Sequence, residues 1–173
     1  MEFVVGGAIV VFMAFAFTAF FGAPYVPSRR QEIRQAFSEL YALKKGDMVV
    51  DLGSGDGIVL RVAREFGAAA VGYELSPPLA WISRALACGD KKQIIMNKNY
   101  WQTDFPKQTT VVYAFSDRRD IKKLHDLVDK QATKLGHTLT LITYGFKAPH
   151  KTPAKMHGAY FLYTVAPCGE RKA

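Results

Sequence analysis

Cysteine is nearly absent from this chain of 173 residues, Cys88 and Cys168 being the only two, which excludes a disulfide framework. No CxxC or HExxH pattern occurs around the four histidines, so no metal site is expected. Internal repeats and low-complexity tracts are lacking too, and the length leaves room for one modest domain plus an appendage. A long basic run is also missing. The formal charge of +8 is spread over pairs such as Arg29-Arg30, Lys44-Lys45, Lys91-Lys92, Arg118-Arg119 and Lys122-Lys123, with no interleaved aromatics. The net charge alone suits an anionic membrane leaflet or a nucleic acid, but these pairs read as solvated faces, and no nucleic-acid partner is expected. Cys88 reads as a buried thiol within a helix, and Cys168 sits in a polar tail.

Charge of either sign is absent from Phe3 to Gly22. About 20 apolar residues at 1.5 Å each span a bilayer core, so residues 1–23 are expected to form a single transmembrane anchor. Pro24 and Pro27 end it, and residues 24–30 form a neck. A cleaved signal peptide would want a positive start and small residues at the cleavage site, whereas Glu2 and Phe20-Phe21 stand there. A buried helix apolar on all sides would be unusual in so small a domain. Arg29 and Arg30 follow the run and no Lys or Arg precedes it, so the domain is expected on the cytoplasmic, or equivalent interior, side of the membrane.

From 31 to 166 the chain alternates short strands with helices. Ile33, Phe37, Leu40 and Tyr41 give Gln31 to Leu43 the spacing of an amphipathic helix. Strands are expected at Met48 to Leu52, Ala70 to Glu74, Gln93 to Asn97, Thr109 to Phe115 and Thr138 to Tyr144. The helices between them run from Gly57 to Phe66, from Pro77 to about Ala87 and from Asp117 to Leu135. Such alternation predicts an α/β fold, a Rossmann-like, doubly wound, mostly parallel sheet. Tyr160 to Val165 follows the loop Lys147 to Gly158 with no helix between and should pair antiparallel at or near the edge, while residues 167–173 read as a flexible tail.

The chemistry is concentrated in Val49-Val50-Asp51-Leu52-Gly53-Ser54-Gly55-Asp56-Gly57. Glycines at alternate positions let the backbone turn sharply and come close to a ligand at the carboxyl end of the first strand. A dinucleotide fingerprint would place its third glycine at Ile58, and here it comes one residue early, at Gly57, which disfavours NAD or FAD. Asp51 suits a cationic amino group better than a pyrophosphate. Glu74, 17 residues beyond Gly57, ends the second strand, where an acid can accept hydrogen bonds from both ribose hydroxyls. A purely structural turn with a solvated Glu74 would explain each feature alone, but their joint spacing fits S-adenosylmethionine.

VVDLGSGDG followed by VGYELSP resembles the class I methyltransferase core, in the form seen in the membrane-anchored protein-lysine methyltransferases of ATP synthase c subunit and the adenine nucleotide translocase and in their prokaryotic relatives. The resemblance extends over the leading apolar run, the neck Pro24-Tyr25-Val26-Pro27-Ser28, Gly72-Tyr73-Glu74-Leu75 and Asn99-Tyr100-Trp101, and thins after about Phe115. It implies that Asp51, Gly53 and Gly55 hold the methionine end of the cofactor, with Ser54 and Gly57 also at the cofactor, that Glu74 holds the ribose and Leu75 one face of the adenine, and that the neck from Tyr25 to Ser28 closes over the site. Asn99 stands where relatives commonly place an acid against the adenine amine.

Methyl transfer from a sulfonium needs alignment and exclusion of water rather than a dedicated catalytic side chain, and no general base is identified. Tyr25, Trp101, Phe115 and Tyr144 lie where an apolar channel for a lysine could form. Ser116 and Asp117 follow the fourth strand where acceptors are often held, and Asp117 reads alternatively as a helix N-cap. The expected activity is methylation of a lysine in a membrane protein. The alternatives are methylation of a membrane lipid or other small molecule, or cofactor binding without catalysis.

Overall fold

The computed structural model describes residues 29–169. The expected span over 1–23, Tyr25 and the neck as far as residue 28 lie outside the described residues, among which no helix is long and apolar enough to cross a membrane. Seven strands form one sheet: β1 (Met48–Leu52), β2 (Ala69–Glu74), β3 (Gln93–Asn97), β4 (Val111–Ser116), β5 (Leu139–Gly145), β6 (Lys155–His157) and β7 (Tyr160–Val165). Their order is β3-β2-β1-β4-β5-β7-β6. β1 to β5 are mutually parallel, and β7 runs antiparallel to β5, as the missing helix predicted. The short β6, which the sequence did not disclose, takes the outer edge beyond β7.

Buried apolar runs such as Val49, Val50 and Leu52 make strands that must be covered on both faces. On one face lie α1 (Arg30–Gln35), α2 (Ile58–Glu65) and α3 (Pro77–Leu86). The other carries α4 (Ile121–Leu135) and the short 3₁₀ turn Tyr100–Gln102. The amphipathic segment expected over Gln31 to Leu43 is helical only to Leu40 and is not one α-helix: after Gln35 it widens into a π-helical turn, Ala36–Leu40, with the Tyr41 amide donating to the Ala36 carbonyl at 3.2 Å. The extra residue keeps Ile33, Phe37 and Leu40 all facing the core. Phe37 meets Phe66 and Tyr113 edge-on, with ring centroids 6.2 Å away in each case.

Two further expectations are corrected. The helix expected from Asp117 starts at Ile121, because the Asp117 carboxylate accepts the Arg119 amide at 3.1 Å and its carbonyl accepts the Ile121 amide at 2.9 Å, closing a separate turn first. Asp117 is therefore not the cap of α4. Cys88 is exposed, one residue beyond the cap of α3 and at a left-handed φ of 49°, where the chain has already left the helix. At the other terminus Pro167 is buried and the Cys168 amide donates to Thr133 Oγ1 of α4 at 3.0 Å, so residues 167–169 stay on the domain.

Candidate active site

The order of strands reverses between β1 and β4, and the crevice outside their carboxyl ends is where a doubly wound sheet takes a ligand. The glycine turn opens into that crevice. Gly53, Gly55 and Gly57 have φ of 88°, 53° and 81°, all in the region that favours glycine. The amides of Gly53 and Ser54 both donate to the Tyr73 carbonyl, at 2.9 and 3.0 Å, which locks the turn onto the end of β2.

Glu74 is 8% exposed and works as a clamp. Its Oε2 accepts the Gly55 amide at 2.8 Å and its Oε1 the Ser76 amide at 2.7 Å, tying the glycine turn to the start of α3. Each oxygen keeps a second lone pair for a ligand hydroxyl. Asn97 Nδ2 donates to the carbonyls of Glu74 and Leu75 at 2.8 and 3.0 Å and so sets the loop that leaves Leu75 exposed at the rim.

Asp51 is 3% exposed, and no base pairs with it among the described residues. Burial, with Glu74 and Asp56 adding repulsion, pushes its carboxyl well above the usual carboxylate range. A cation brought to this point relieves that penalty. Asp56 is already neutralised by Arg61, whose Nη2 lies 3.0 Å from Oδ2, so Asp51 and Glu74 are the acids left to meet a ligand.

Asp51, Gly53, Ser54, Gly55 and Glu74 are thus gathered at the carboxyl ends of β1 and β2, while Gly57 packs against α3 and Leu75 is exposed just beyond the Glu74 clamp. Asn99 lies beyond the end of β3, but its Oδ1 accepts the Trp101 amide at 3.0 Å and caps the 3₁₀ turn. Beside it, Tyr100 is desolvated and repelled by Asp120 and Glu74, which raises its phenol to about 12, and the Trp101 ring lies 4.1 Å from the Lys123 ammonium. Phe115 and Tyr144 meet at the ends of β4 and β5, with ring centroids 6.1 Å apart, and Tyr160 packs on Tyr144 at 4.7 Å with the rings tilted by 38°.

Ser116 is not presented to an acceptor. It is 1% exposed, and its Oγ lies 2.8 Å from the Phe146 carbonyl and 3.0 Å from the Phe146 amide, clasping the segment after β5. Asp117 pairs with Arg119 at 2.9 Å, and the bonds from Arg119 hold its carboxyl below the usual range.

A Methyltransferase domain family matches residues 25–144. The chain belongs to the S-adenosylmethionine-dependent methyltransferase family. It is similar to curated proteins named as lysine N-methyltransferases of the ATP synthase c subunit. With the Rattus norvegicus protein it shares 31% identity, covering 95% of this chain and 80% of that one; with the Xenopus laevis protein 29%, covering 90% and 70%. A solved RNA methyltransferase from Salinibacter ruber, in complex with S-adenosyl-L-homocysteine, shares the fold at a TM-score of 0.75 and 22% identity, covering 85% of this chain and 98% of that one.

Two positions to which the sequence reading gave no role of their own, Gly72 and Ser83, shape the turn of this methyltransferase. A Cβ at Gly72 would lie 2.5 Å from Ser54 Oγ and 2.7 Å from Leu60 Cδ1, so the site's backbone closes only over a bare residue on β2. Ser83 of α3 stands behind Gly57, where a Cβ would come within 2.2 Å of its Oγ. The short gap between the glycine run and the helix start hints at neither contact, since both join elements distant in sequence.

Proposed function

We propose that this protein transfers a methyl group from S-adenosylmethionine to the ε-amine of a lysine in a small membrane protein, and that its apolar N-terminal run holds it at that membrane with the domain on the cytoplasmic or equivalent interior side. The observation that carries the donor half of this reading is the pair of acids across the glycine turn: a buried Asp51 without a base and a Glu74 with lone pairs to spare. That donor set fits a ligand bearing an ammonium group at one end and a ribose at the other. The lysine acceptor is supported by the curated relatives of about 30% identity.

When bound, S-adenosylmethionine supplies an electrophilic methyl group on a sulfonium. Asp51 would receive the amino group, Glu74 the ribose hydroxyls, and Leu75 would cover one face of the adenine. The Gly53 to Gly57 backbone gives close approach, and the amides it spends on Tyr73 and Glu74 keep the turn in place before the ligand arrives. On the acceptor side, Phe115 and Tyr144 offer an apolar approach that favours the neutral amine over the ammonium, so the proton leaves to water before transfer. A membrane tether would raise the effective concentration of a bilayer-resident acceptor.

The test is to incubate the full chain with radiolabelled S-adenosylmethionine and membranes from its own source, with Glu74→Gln as control, and to resolve proteins from lipids. Label on a lysine of one small membrane protein, lost in the control, is the expected result. Label in the lipid extract instead would make the acceptor a lipid, and donor binding without any label would make the protein a noncatalytic binder.

A further inference from the structure

Helix α3 turns an apolar face to solvent. Pro78, Trp81, Ile82, Ala85 and Leu86 are all exposed, Trp81 at 72%, Ile82 at 42% and Leu86 at 46%. Their spacing places them on one side of the helix, opposite Ala80 and Ser83, which are fully buried against the sheet. A helix on the surface of a domain ordinarily carries polar residues there, and an apolar stripe on the outward side marks something that covers it.

Three observations say what covers it. From Leu75 to Gly89 the chain has no acid, and the loop that follows adds the exposed Lys91 and Lys92, while its one acid, Asp90, is neutralised by Arg64 at 2.7 Å. An apolar stripe with tryptophan, edged by lysines and free of carboxylates, matches an anionic bilayer interface. The point at which the chain enters the domain agrees. Arg30 and Arg34 both bind Glu65, at the end of α2, and the neighbouring Arg64 holds Asp90, so the 28 residues preceding the described domain join it one helix away from the end of α3.

We propose that α3 lies in the headgroup region of the membrane, with Pro78, Trp81, Ile82, Ala85 and Leu86 in the apolar boundary and Lys91 and Lys92 against anionic lipid. This contact is a second point of attachment besides the N-terminal run, and it rests on the membrane reading above. One attachment point leaves a domain free to swivel, whereas two orient the mouth of the crevice, since Ser76, the N-cap of α3, is held by the Glu74 clamp.

The full chain is reconstituted into phosphatidylcholine vesicles with and without phosphatidylglycerol, some carrying brominated acyl chains, and compared with Trp81→Phe. At position 81, mostly in solvent, Phe leaves the fold intact. Expected is roughly a twofold quenching of the wild-type fluorescence by brominated lipid, largely lost in Trp81→Phe because Trp101 stays within the domain, and weaker in Lys91→Glu/Lys92→Glu. Equal quenching in wild type and Trp81→Phe overturns the proposal, as does a blue-shifted Trp81 emission that brominated lipid leaves unchanged, which would mean protein covers the stripe. Flotation separates the two readings: protein that floats with the vesicles while Trp81 emits as if in water overturns the α3 contact and leaves the tether, and protein that does not float overturns both.

Discussion

The two halves of the sheet are built on different principles. In the half made of β1, β2 and β3, α2 and α3 pack on one face and the functional groups are backbone amides, glycines and two acids within 24 positions, from Asp51 to Glu74. In the half made of β4, β5, β7 and β6, α4 covers one face, the π turn Ala36–Leu40 packs on the other, and the ends of the strands carry the aromatic rings of Phe115, Tyr144 and Tyr160. On the proposed reading, the donor meets a compact, local turn in the first half, and the acceptor meets residues far apart in sequence in the second.

Replacing Phe37 gives the largest expected change. The Phe37→Ala variant leaves a cavity between Phe66 and Tyr113, and a loss of about 3–5 kcal/mol in chemical denaturation is expected. Because Tyr113 belongs to β4, a loss under 1 kcal/mol would break the view that α1 and its π turn lock the two halves together.

Next comes the clamp. In Glu74→Ala the Gly55 and Ser76 amides lose their acceptor along with the ribose, and donor affinity by titration calorimetry is expected to fall on the order of 100-fold. Unchanged affinity would move the donor out of this half.

A pH effect separates the acceptor half from the donor half. His125 of α4 is fully buried against Tyr163, and desolvation first, then Lys151 and His150, lower its imidazole to about 4, with Asp129 and Asp126 offsetting part. The unfolded chain takes up that proton near pH 6.5 and the folded one near 4, so the His125 contribution to stability is constant above the higher value and falls as pH drops between them. A loss of about 2 kcal/mol by pH 4.5 is expected, and His125→Phe should remove that part of the slope. Identical slopes in the two proteins would refute the assignment.

Asp51 yields the donor half's own pH signature. Its raised carboxyl must ionise to meet a cation, so donor affinity should climb with pH until the raised value is passed. Asp51→Asn should flatten the climb and weaken binding about tenfold. The smallest effect is at the Ser116 clasp: Ser116→Ala is expected to cost about 1 kcal/mol and to raise the acceptor KM while the donor Kd stays the same. A shift in donor Kd of the same size would show that the halves are coupled rather than separate.

Much of the donor half was legible from order alone. Strand, turn and acid follow one another within a single βαβ unit, and the alternate glycines announce the turn, so Asp51, Gly53, Gly55, Gly57 and Glu74 were readable as a group. In the acceptor half the strands β4, β5 and β7 and the pair Phe115 and Tyr144 were readable too, but the roles of Ser116 and Asp117 and the strand β6 were not. Residue type alone does not distinguish Asp117 as a helix cap from Asp117 as a turn residue, because an aspartate accepts a nearby backbone amide in either place, here that of Arg119, and the helix start depends on how β4 ends. β6 was missed for a similar reason: Lys155–His157 has three exposed residues and no alternation, and it is a strand only because β7 offers an edge.

What the amino-acid order by itself determined is the parallel α/β scheme and the glycine turn with its two acids, since these depend on periodicity and on backbone freedom within short range. The tertiary structure alone decided that Gly72 must stay bare beneath Ser54, that Glu74 spends a bond on each side of the crevice, that Ser116 is a clasp, and that α3 turns Trp81 outward. Each of these is a contact, or the lack of one, between elements distant in the chain, and burial and hydrogen-bond partners are assigned only when those elements meet.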